Sequence, residues 1–326
     1  MLVLAGGTAL SLWAFQASRR DVGAKASARI GREVSRVRAA LIADLGQHEL
    51  ALRAGAGFFA GSDDVTAAEF AAFVERLGLG ERDPGVRSLA FVVPVARQDL
   101  PAWTARQRSR GNDVGKVMTS GERPVLHVVQ YSEPARRGAR AIGWDAGADP
   151  AFRFAIERAR ETGQAALAGP IAVPHATSGP IFALGFPLYA AARVPTTSEA
   201  RLAGFRGTLV LFLNVRSFME EALTGGDPDI EVALFDGPVA DPGRLLHAPA
   251  REPGTPAPSE QARRTSDSLS IGGKALTLVF ATLPGFEKTQ GAIWPFLVLG
   301  GGLAMSSLLA AFLWAISRAP GEPRVS

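Results

Sequence analysis

Apolar side chains recur at helical spacing along the proline-free segment from Ser18 to Phe59. Spacings of three, four or their sum place one apolar stripe on a single long helix; the stripe consists of Val22, Ala26, Ile30, Val34, Val37, Leu41, Leu45 and Leu52. A helix of ~40 residues extends ~60 Å, longer than most globular domains need. The pattern favours a stalk that packs on a second copy of itself as a coiled coil. The alternative is packing against the domain that follows. Gly55, Gly57 and Gly61 predict where the stalk ends.

Both ends of the chain are apolar. The first run, Met1 to Phe15, is short against the ~20 residues that cross a bilayer. Because no basic residue precedes it, we predict a transmembrane helix that begins from a start codon placed too late; a cleaved signal peptide is the alternative. The last run, Ile293 to Ile316, contains no charge and predicts a transmembrane helix. Trp294 and Trp314 lie near its two ends, where amphipathic rings favour the interface.

Small residues within the last run leave two readings open. They either allow close packing with another helix or face lipid without a partner; they are Gly300, Gly301, Gly302, Ala304, Ser306 and Ser307. Two spans would place both termini on one side of the membrane. The tail 318–326 has two arginines and one acid, which predicts a cytoplasmic tail and places residues 17–290 outside. Arg19 and Arg20 argue mildly for the opposite orientation.

The region between the two ends alternates short helices with apolar strands. Nearly continuous apolar runs predict strands that are buried on both faces or that form the floor of a cavity; they are Val86–Val95, Val125–Tyr131, 165–173, Ile181–Tyr189 and Gly207–Val215. Thr66 with Glu69 predicts a capping box at one helix. Pro150 and Gly163 predict the two ends of another, Pro150–Thr162. The alternative to a cavity is a filled core.

A turn at Gly225–Pro228 predicts a boundary, after which a smaller strand-rich unit follows. Its predicted strands are Ile230–Phe235, Leu245–His247 and Leu269–Leu283. The segment Pro249–Arg264 is rich in proline and polar residues and is interpreted as a mobile loop.

Composition adds few candidates for chemistry. The chain has 326 residues, no cysteine, 35 Lys and Arg and a formal net charge of +4. The basic residues are scattered, which argues against nucleic-acid binding. His48, His127, His175 and His247 lie far apart without the spacing of metal ligands, so we interpret them as ordinary surface or core residues. We find no catalytic constellation, and the sequence predicts a non-enzymatic protein without a cofactor or a metal.

The order of short motifs over residues 50 to 225 resembles the CHASE domain, the extracytoplasmic sensor module of many receptors. The resemblance begins with the Glu69–Phe73 helix and Gly85-Val86 and continues through Tyr131, Glu133-Pro134 and Gly143-x-Asp145. Its strongest parts are ARETGQAAL, 159–167, and FPLY, 186–189. It implies an α+β fold in which a long N-terminal stalk helix precedes two PAS-like units, and it implies flanking transmembrane helices and homodimers.

With this resemblance the chain divides into six predicted parts. They are a transmembrane helix, 1–16; a stalk, 17–60; a membrane-distal PAS-like unit, 61–225; a smaller membrane-proximal PAS-like unit, 226–290; a second transmembrane helix, 291–317; and a cytoplasmic tail, 318–326. The predicted location is a bacterial inner membrane, with the sensor region periplasmic or extracellular.

The resemblance also implies a ligand pocket in the distal unit. Where cytokinin-binding members have an Asp and two Thr residues associated with binding, this chain has Phe152, Ala168 and Gly185. All three differences remove hydrogen-bonding groups, so we expect a ligand more apolar or smaller than an adenine derivative. The pocket candidates are Trp144, Phe152, Ile156, Ala168, Phe182, Gly185 and Tyr189.

The predicted function is therefore a membrane-anchored sensor that binds a small molecule and passes the signal through its last helix. Members of the family usually continue into a kinase or cyclase. We therefore expect either a separate histidine kinase or cyclase as partner, or a truncated receptor. A non-sensing membrane scaffold and an extracytoplasmic enzyme are the alternatives.

Overall fold

The computed structural model describes residues 2–62, 64–79, 83–112, 114–134, 141–173, 179–191, 193–249, 257–289 and 293–317. It is an α+β structure with one long N-terminal helix, α1 (Leu2–Ala60), and two antiparallel sheets. The first sheet has five strands in the order β2-β1-β5-β4-β3. Its strands are β1 (Val86–Ala96), β2 (Val125–Glu133), β3 (Ala166–Ile171), β4 (Ile181–Tyr189) and β5 (Phe205–Asn214).

Helices cover both faces of this sheet. They are α2 (Ala67–Leu77), α3 (Leu100–Ser109), α4 (Pro150–Thr162), α5 (Ser198–Gly204) and α6 (Val215–Leu223). Every residue of β4 is buried, as its apolar run predicts. The Thr66 capping box at α2 is present, with both reciprocal hydrogen bonds. α5 has no counterpart in the sequence prediction.

The apolar stripe of α1 packs against the chain's own sheets. Val37 and Leu52 are fully buried, and Ala26, Leu41 and Leu45 are nearly so. α1 contacts β4, β5 and α6 beside the first sheet and β8 beside the second. The prediction that this stripe forms a coiled coil with a second copy is therefore wrong, and the alternative of packing within the chain is confirmed.

Of the three glycines predicted to end α1, Gly61 directly follows the last helical residue, whereas Gly55 and Gly57 do not stop the helix. The helix continues through Gly55 and Gly57 to Ala60. A Cβ atom at Gly55 would lie 2.8 Å from Leu209 Cδ1 on β5. Gly55 therefore provides close approach between the helix and the sheet, which sequence alone does not distinguish from a helix stop.

The second sheet has four strands in the order β7-β6-β9-β8. They are β6 (Ile230–Asp236), β7 (Leu245–His247), β8 (Arg264–Ile271) and β9 (Lys274–Thr282). The single strand predicted over Leu269–Leu283 is wrong, because Gly272 and Gly273 at φ of 54° and 82° turn the chain into a hairpin. Of the predicted loop Pro249–Arg264, residues 250–256 lie outside the described residues.

Charged contacts join the second sheet to α1. The Arg29 guanidinium bonds Asp227, and its Nη2 lies 2.9 Å from Asp229 Oδ2. Arg38 Nη1 lies 2.8 Å from Asp267 Oδ1 on β8. The two sheets also meet directly, since Leu167 N donates to Gly272 O at 3.1 Å. One helix is thus fixed to both sheets.

The second sheet is followed by a short helix, α7 (Pro284–Thr289), and then by a long one, α8 (Trp294–Ser317). Within α8, Trp294–Trp314 is the one described helical segment that is long and apolar enough to cross a membrane, with a mean hydropathy of 2.1. α8 packs antiparallel along the beginning of α1. Phe15 and Phe296 meet edge to face at 5.7 Å, and Ser11 faces Gly302 while Gly7 faces Ser306. Of the two readings left open for the small residues of this helix, close packing is therefore present at Gly302 and Ser306.

Candidate ligand-binding site

The helix α4 begins and ends at strong local signals. The Asp149 carboxylate accepts hydrogen bonds from Ala151 N at 2.8 Å and Phe152 N at 3.1 Å, and Pro150 takes the first helical position. Gly163 ends the helix in the left-handed conformation, at φ of 72°. The apolar stripe of Phe152, Ala155, Ile156 and Ala159 then faces the five-stranded sheet.

The sheet presents mostly small side chains to α4. They include Ala90 on β1, Ala166 and Ala168 on β3, Ala183 and Gly185 on β4, and Val210 on β5. Small residues let a helix approach a sheet closely. They also leave space that larger rings from the helix or a neighbouring strand can occupy.

Three aromatic rings occupy the space between α4 and the sheet. Trp144 and Phe152 lie 6.0 Å apart between centroids, Phe152 and Phe212 6.1 Å, and Trp144 and Phe212 6.3 Å. Phe152 is 2% exposed and Phe212 1%. Such pairs add stability beyond the area they bury. We call these three residues the ring cluster; in this arrangement a ligand can enter here only if a ring moves.

Five of the seven predicted pocket residues share this face. Trp144 and Phe152 belong to the ring cluster, Ile156 lies one turn further along α4, and Ala168 and Gly185 form the sheet beneath. Tyr189 lies at the other end of α4. Phe182 is on the opposite face of β4, where its ring meets Phe218 of α6 edge to face at 6.3 Å. The structure therefore brings five candidates together and separates Phe182 from them. Tyr189 touches only the end of α4 and also lines a cleft beside the end of α1.

Tyr189 is fixed by the end of α4. Its hydroxyl donates to the carbonyl oxygen of Arg160 at 2.7 Å and lies 3.4 Å from that of Ala159. Burial raises the pKa of Tyr189, against the opposing effect of Arg201 and Arg160, so the hydroxyl remains a donor. This contact satisfies a carbonyl left open at the helix C-terminus.

A buried polar group lies next to the ring cluster. Asp145 is fully buried; its carboxylate accepts from His127 N at 3.0 Å and Thr119 Oγ1 at 2.7 Å, and it pairs with Arg123. Burial lowers the pKa of His127 to about 4, although Asp145 opposes the shift. His127 is therefore neutral at physiological pH. These contacts fix the segment that carries Trp144 onto β2.

A cleft of about 250 Å³ lies on the opposite face, between the end of α1 and β4. Its floor is apolar and includes Phe59, Phe91 and Leu188, while Arg53, Arg193 and Arg206 lie at its edge. The Arg53 guanidinium sits 4.9 Å from the Phe186 ring centroid and 2.7 Å from Glu49 Oε1. Sequence reasoning missed this cleft because its residues come from four segments without a shared motif.

Known proteins resemble this chain in sequence and in structure. The sequence matches the CHASE domain over residues 63–247. Among solved structures, the chain is similar to the periplasmic sensory domain of the Campylobacter jejuni chemoreceptor Tlp1, at 8% identity and a TM-score of 0.38, over 82% of this chain and 92% of that chain. A search of curated proteins gives no match. The CHASE match covers more than half of the chain and includes α4, the ring cluster and the whole five-stranded sheet, and the protein therefore belongs to the CHASE-domain family.

Proposed function

We propose that this protein is a membrane-anchored, non-enzymatic sensor that binds a small apolar molecule outside the cytoplasm and passes the signal through its membrane helices. Membership of the CHASE family supports an extracellular sensor role. The observation that carries the proposal is the continuity of α1, which begins beside the apolar helix α8 and ends against the five-stranded sheet. A change in the sheet therefore has a rigid element through which to act.

In the proposed arrangement, residues 2–16 of α1 form a second span beside α8. The facing pairs Gly7 with Ser306 and Ser11 with Gly302 support this, because close backbone approach is how transmembrane helices associate. Residues 61–225 form the membrane-distal unit and 226–290 the membrane-proximal unit, both PAS-like; the two separate sheets support this division. We assign the tail 318–326 to the cytoplasm and the membrane to the bacterial inner membrane.

We place the ligand on the α4 face, against Phe152, Ile156, Ala168 and Gly185. The surroundings are apolar, and the ligand would enter by displacing a ring of the ring cluster. The bound ligand then favours a second packing of α4 on the sheet. It shifts the equilibrium between the two packings only by the difference in its affinity for them. The absence of a carboxylate at position 152 supports a ligand that is not an adenine derivative.

The cleft beside Arg53 is the second candidate location, favoured by its open volume and its three arginines. It would suit an anionic molecule with an apolar body.

The filled ring cluster also favours a second function, a scaffold that holds a partner in the membrane without sensing. The output partner of the sensor is proposed to be a separate histidine kinase or cyclase.

A thermal-shift screen of the full chain in lipid nanodiscs tests this proposal. A compound that binds the α4 face raises the Tm of the wild type and of Arg206→Gln, and its effect is weakened at least tenfold in apparent affinity in Phe152→Leu. A compound whose effect is weakened in Arg206→Gln but kept in Phe152→Leu binds in the cleft, and this result overturns the α4 site. Stabilisation by adenine-type cytokinins would overturn the ligand class. A screen of cell extracts that finds no stabilising compound leaves the scaffold as the function.

A further inference from the structure

The turn of the β8–β9 hairpin touches the outer edge of the first sheet. β3 is the last strand of that sheet, and Leu167 N on β3 donates to Gly272 O in the turn at 3.1 Å. A Cβ atom at Gly272 would lie 2.5 Å from Leu167 N and 3.1 Å from the carbonyl carbon of Ala166. Gly272 also has φ of 54°, in the left-handed region that favours glycine. A side chain at this position would therefore push the two sheets apart.

The same turn touches α4 through Gly273. A Cβ atom at Gly273 would overlap the side chain of Arg158, whose Cδ atom would lie 2.7 Å away. α4 and β3 enclose the face on which we place the ligand, so the turn contacts both elements that form the proposed site. We call the contacts of Gly272 with Leu167 and of Gly273 with Arg158 the hairpin contact.

The other end of the hairpin leads to the apolar helix. β9 has hydrogen-bonded neighbours on both sides, β6 and β8, and its nine residues span about 30 Å. Directly after β9, Leu283 N donates to Asp229 O at 2.8 Å, and Phe286 of α7 is fully buried. The Arg29 guanidinium lies 4.5 Å from the centroid of the Phe286 ring. Because α8 follows α7 along the chain, β9 connects the edge of the first sheet to the segment that leads into α8.

We propose that the hairpin contact is a coupling device, which transmits a change in the packing of α4 on the sheet through β9 and α7 to α8. The first sheet then has two connections to the membrane helices, since α1 is the other. A change that moves the hairpin contact relative to α1 displaces α8 relative to α1. The inference rests on the proposed function for the origin of the signal, and it adds a second route by which that signal reaches the membrane.

Coupling is measured as an effect at one end that is caused by a change at the other, because proximity alone does not establish it. Hydrogen exchange of the full chain in lipid nanodiscs, followed by mass spectrometry, makes this measurement without a ligand. Phe152→Leu loosens the ring cluster. We expect it to speed the exchange of the β9 and α7 amides by roughly fivefold or more, since the second sheet loses support from β3.

Gly272→Ala breaks the hairpin contact before the ring cluster is disturbed. In this background, Phe152→Leu should change the exchange of β9 and α7 by less than about twofold. Gly225→Ala is the matched control, because Gly225 has a similar left-handed φ of 70° but a Cβ atom there meets nothing within 4 Å. The full effect of Phe152→Leu should remain in the Gly225→Ala background. Slow exchange of the fully buried strand β4 shows that each variant is folded.

Arg158→Ala keeps the test valid if Gly272→Ala folds poorly. Arg158 is exposed, so its truncation spares the core while it removes the contact with Gly273, and it should weaken the effect of Phe152→Leu on β9. An effect that persists unchanged in both Gly272→Ala and Arg158→Ala would show that α1 carries the change, and it would overturn the proposal. No effect of Phe152→Leu on β9 and α7 would overturn it as well.

These outcomes are separate from the test of the proposed function. A chain that binds a compound on the α4 face but shows no coupling through Gly272 remains a sensor without this device. A chain that shows the coupling but is stabilised by no compound keeps the device and loses the proposed sensing.

Discussion

Phe152 connects α4, β5 and the segment that carries Trp144, because its ring contacts both other members of the ring cluster. We predict that Phe152→Ala lowers the free energy of unfolding by about 3–5 kcal/mol, since it leaves a cavity among rings that are fixed by their neighbours. Chemical denaturation followed by circular dichroism measures this. Phe154→Ala is the control: Phe154 is on the same helix but 62% exposed, and the expected change is within about 0.5 kcal/mol.

His127 gives the protein a pH dependence of known sign. Its pKa is lowered from 6.5 to about 4 by burial, so the unfolded chain takes up a proton that the folded chain refuses. Above pH 6.5 both states are neutral at His127 and the free energy of unfolding is unaffected. As the pH falls toward 4, only the unfolded chain is protonated there, and the free energy of unfolding decreases by roughly 3 kcal/mol. Urea unfolding between pH 7.5 and 4.5 should show this loss, and His127→Gln should reduce the slope. An unchanged slope in the variant would contradict the assignment.

At the level of residues, sequence identified which side chains are buried but not which of them touch. The spacing of Phe152 and Ile156 places both on the inner face of α4, and the structure agrees. That Phe212 reaches Phe152 depends on the register of β5 against its neighbours, which no local pattern encodes. No local pattern encodes the contact between His48 Nε2 and Asp83 Oδ2 either, which lie 2.6 Å apart although 35 residues separate them.

At the level of elements, the contact between α1 and α8 allows a sharp test with two neighbouring glycines. A Cβ atom at Gly302 would lie 2.3 Å from Ser11 Oγ, whereas one at Gly300 meets nothing within 4 Å. Gly302→Val should therefore separate the helices and lower the Tm by several degrees in detergent, while Gly300→Val leaves it nearly unchanged. Equal effects of the two substitutions would show that the helices do not pack through this face.

The outer side of α1 is the candidate surface for the predicted homodimer, because its inner stripe is already buried. Ile42 and Leu50 are 54% and 68% exposed there. We expect Ile42→Arg combined with Leu50→Arg to shift the full chain from dimer to monomer in light scattering, because charges do not pack between apolar helix faces. A monomeric wild-type chain, or a variant that remains dimeric, would refute a dimer through this surface.

Among the elements, those with strong end signals were predicted well. The bounds of α4 agree with the positions of Pro150 and Gly163, and those of β4 agree with its apolar run. The partner of α1 was not predicted, because periodicity shows that a face is buried without showing what covers it. The hairpin of β8 and β9 was missed because the sequence leading into it is polar on its exposed edge strand and apolar only on β9.

At the level of the whole molecule, one helix joins an apolar anchor to two sheets. α1 runs beside α8 at its start, bonds the second sheet through Arg29 and Arg38, and ends against β4 and β5. We propose that a rearrangement of the first sheet reaches the anchor through this continuous backbone. A sensor of this kind also requires both sheets to lie outside the cytoplasm and the tail 318–326 to lie inside it.

Cysteine accessibility in intact bacteria measures that arrangement most directly, and the natural chain has no cysteine to interfere. Ser120→Cys and Ser259→Cys introduce single thiols at exposed positions beside the first and second sheets. With Ser326→Cys as the tail reporter, we predict that a membrane-impermeant maleimide labels the first two in intact cells and labels the tail only after lysis. Protection of Ser120→Cys and Ser259→Cys until lysis would place the sheets in the cytoplasm and contradict an extracytoplasmic sensor.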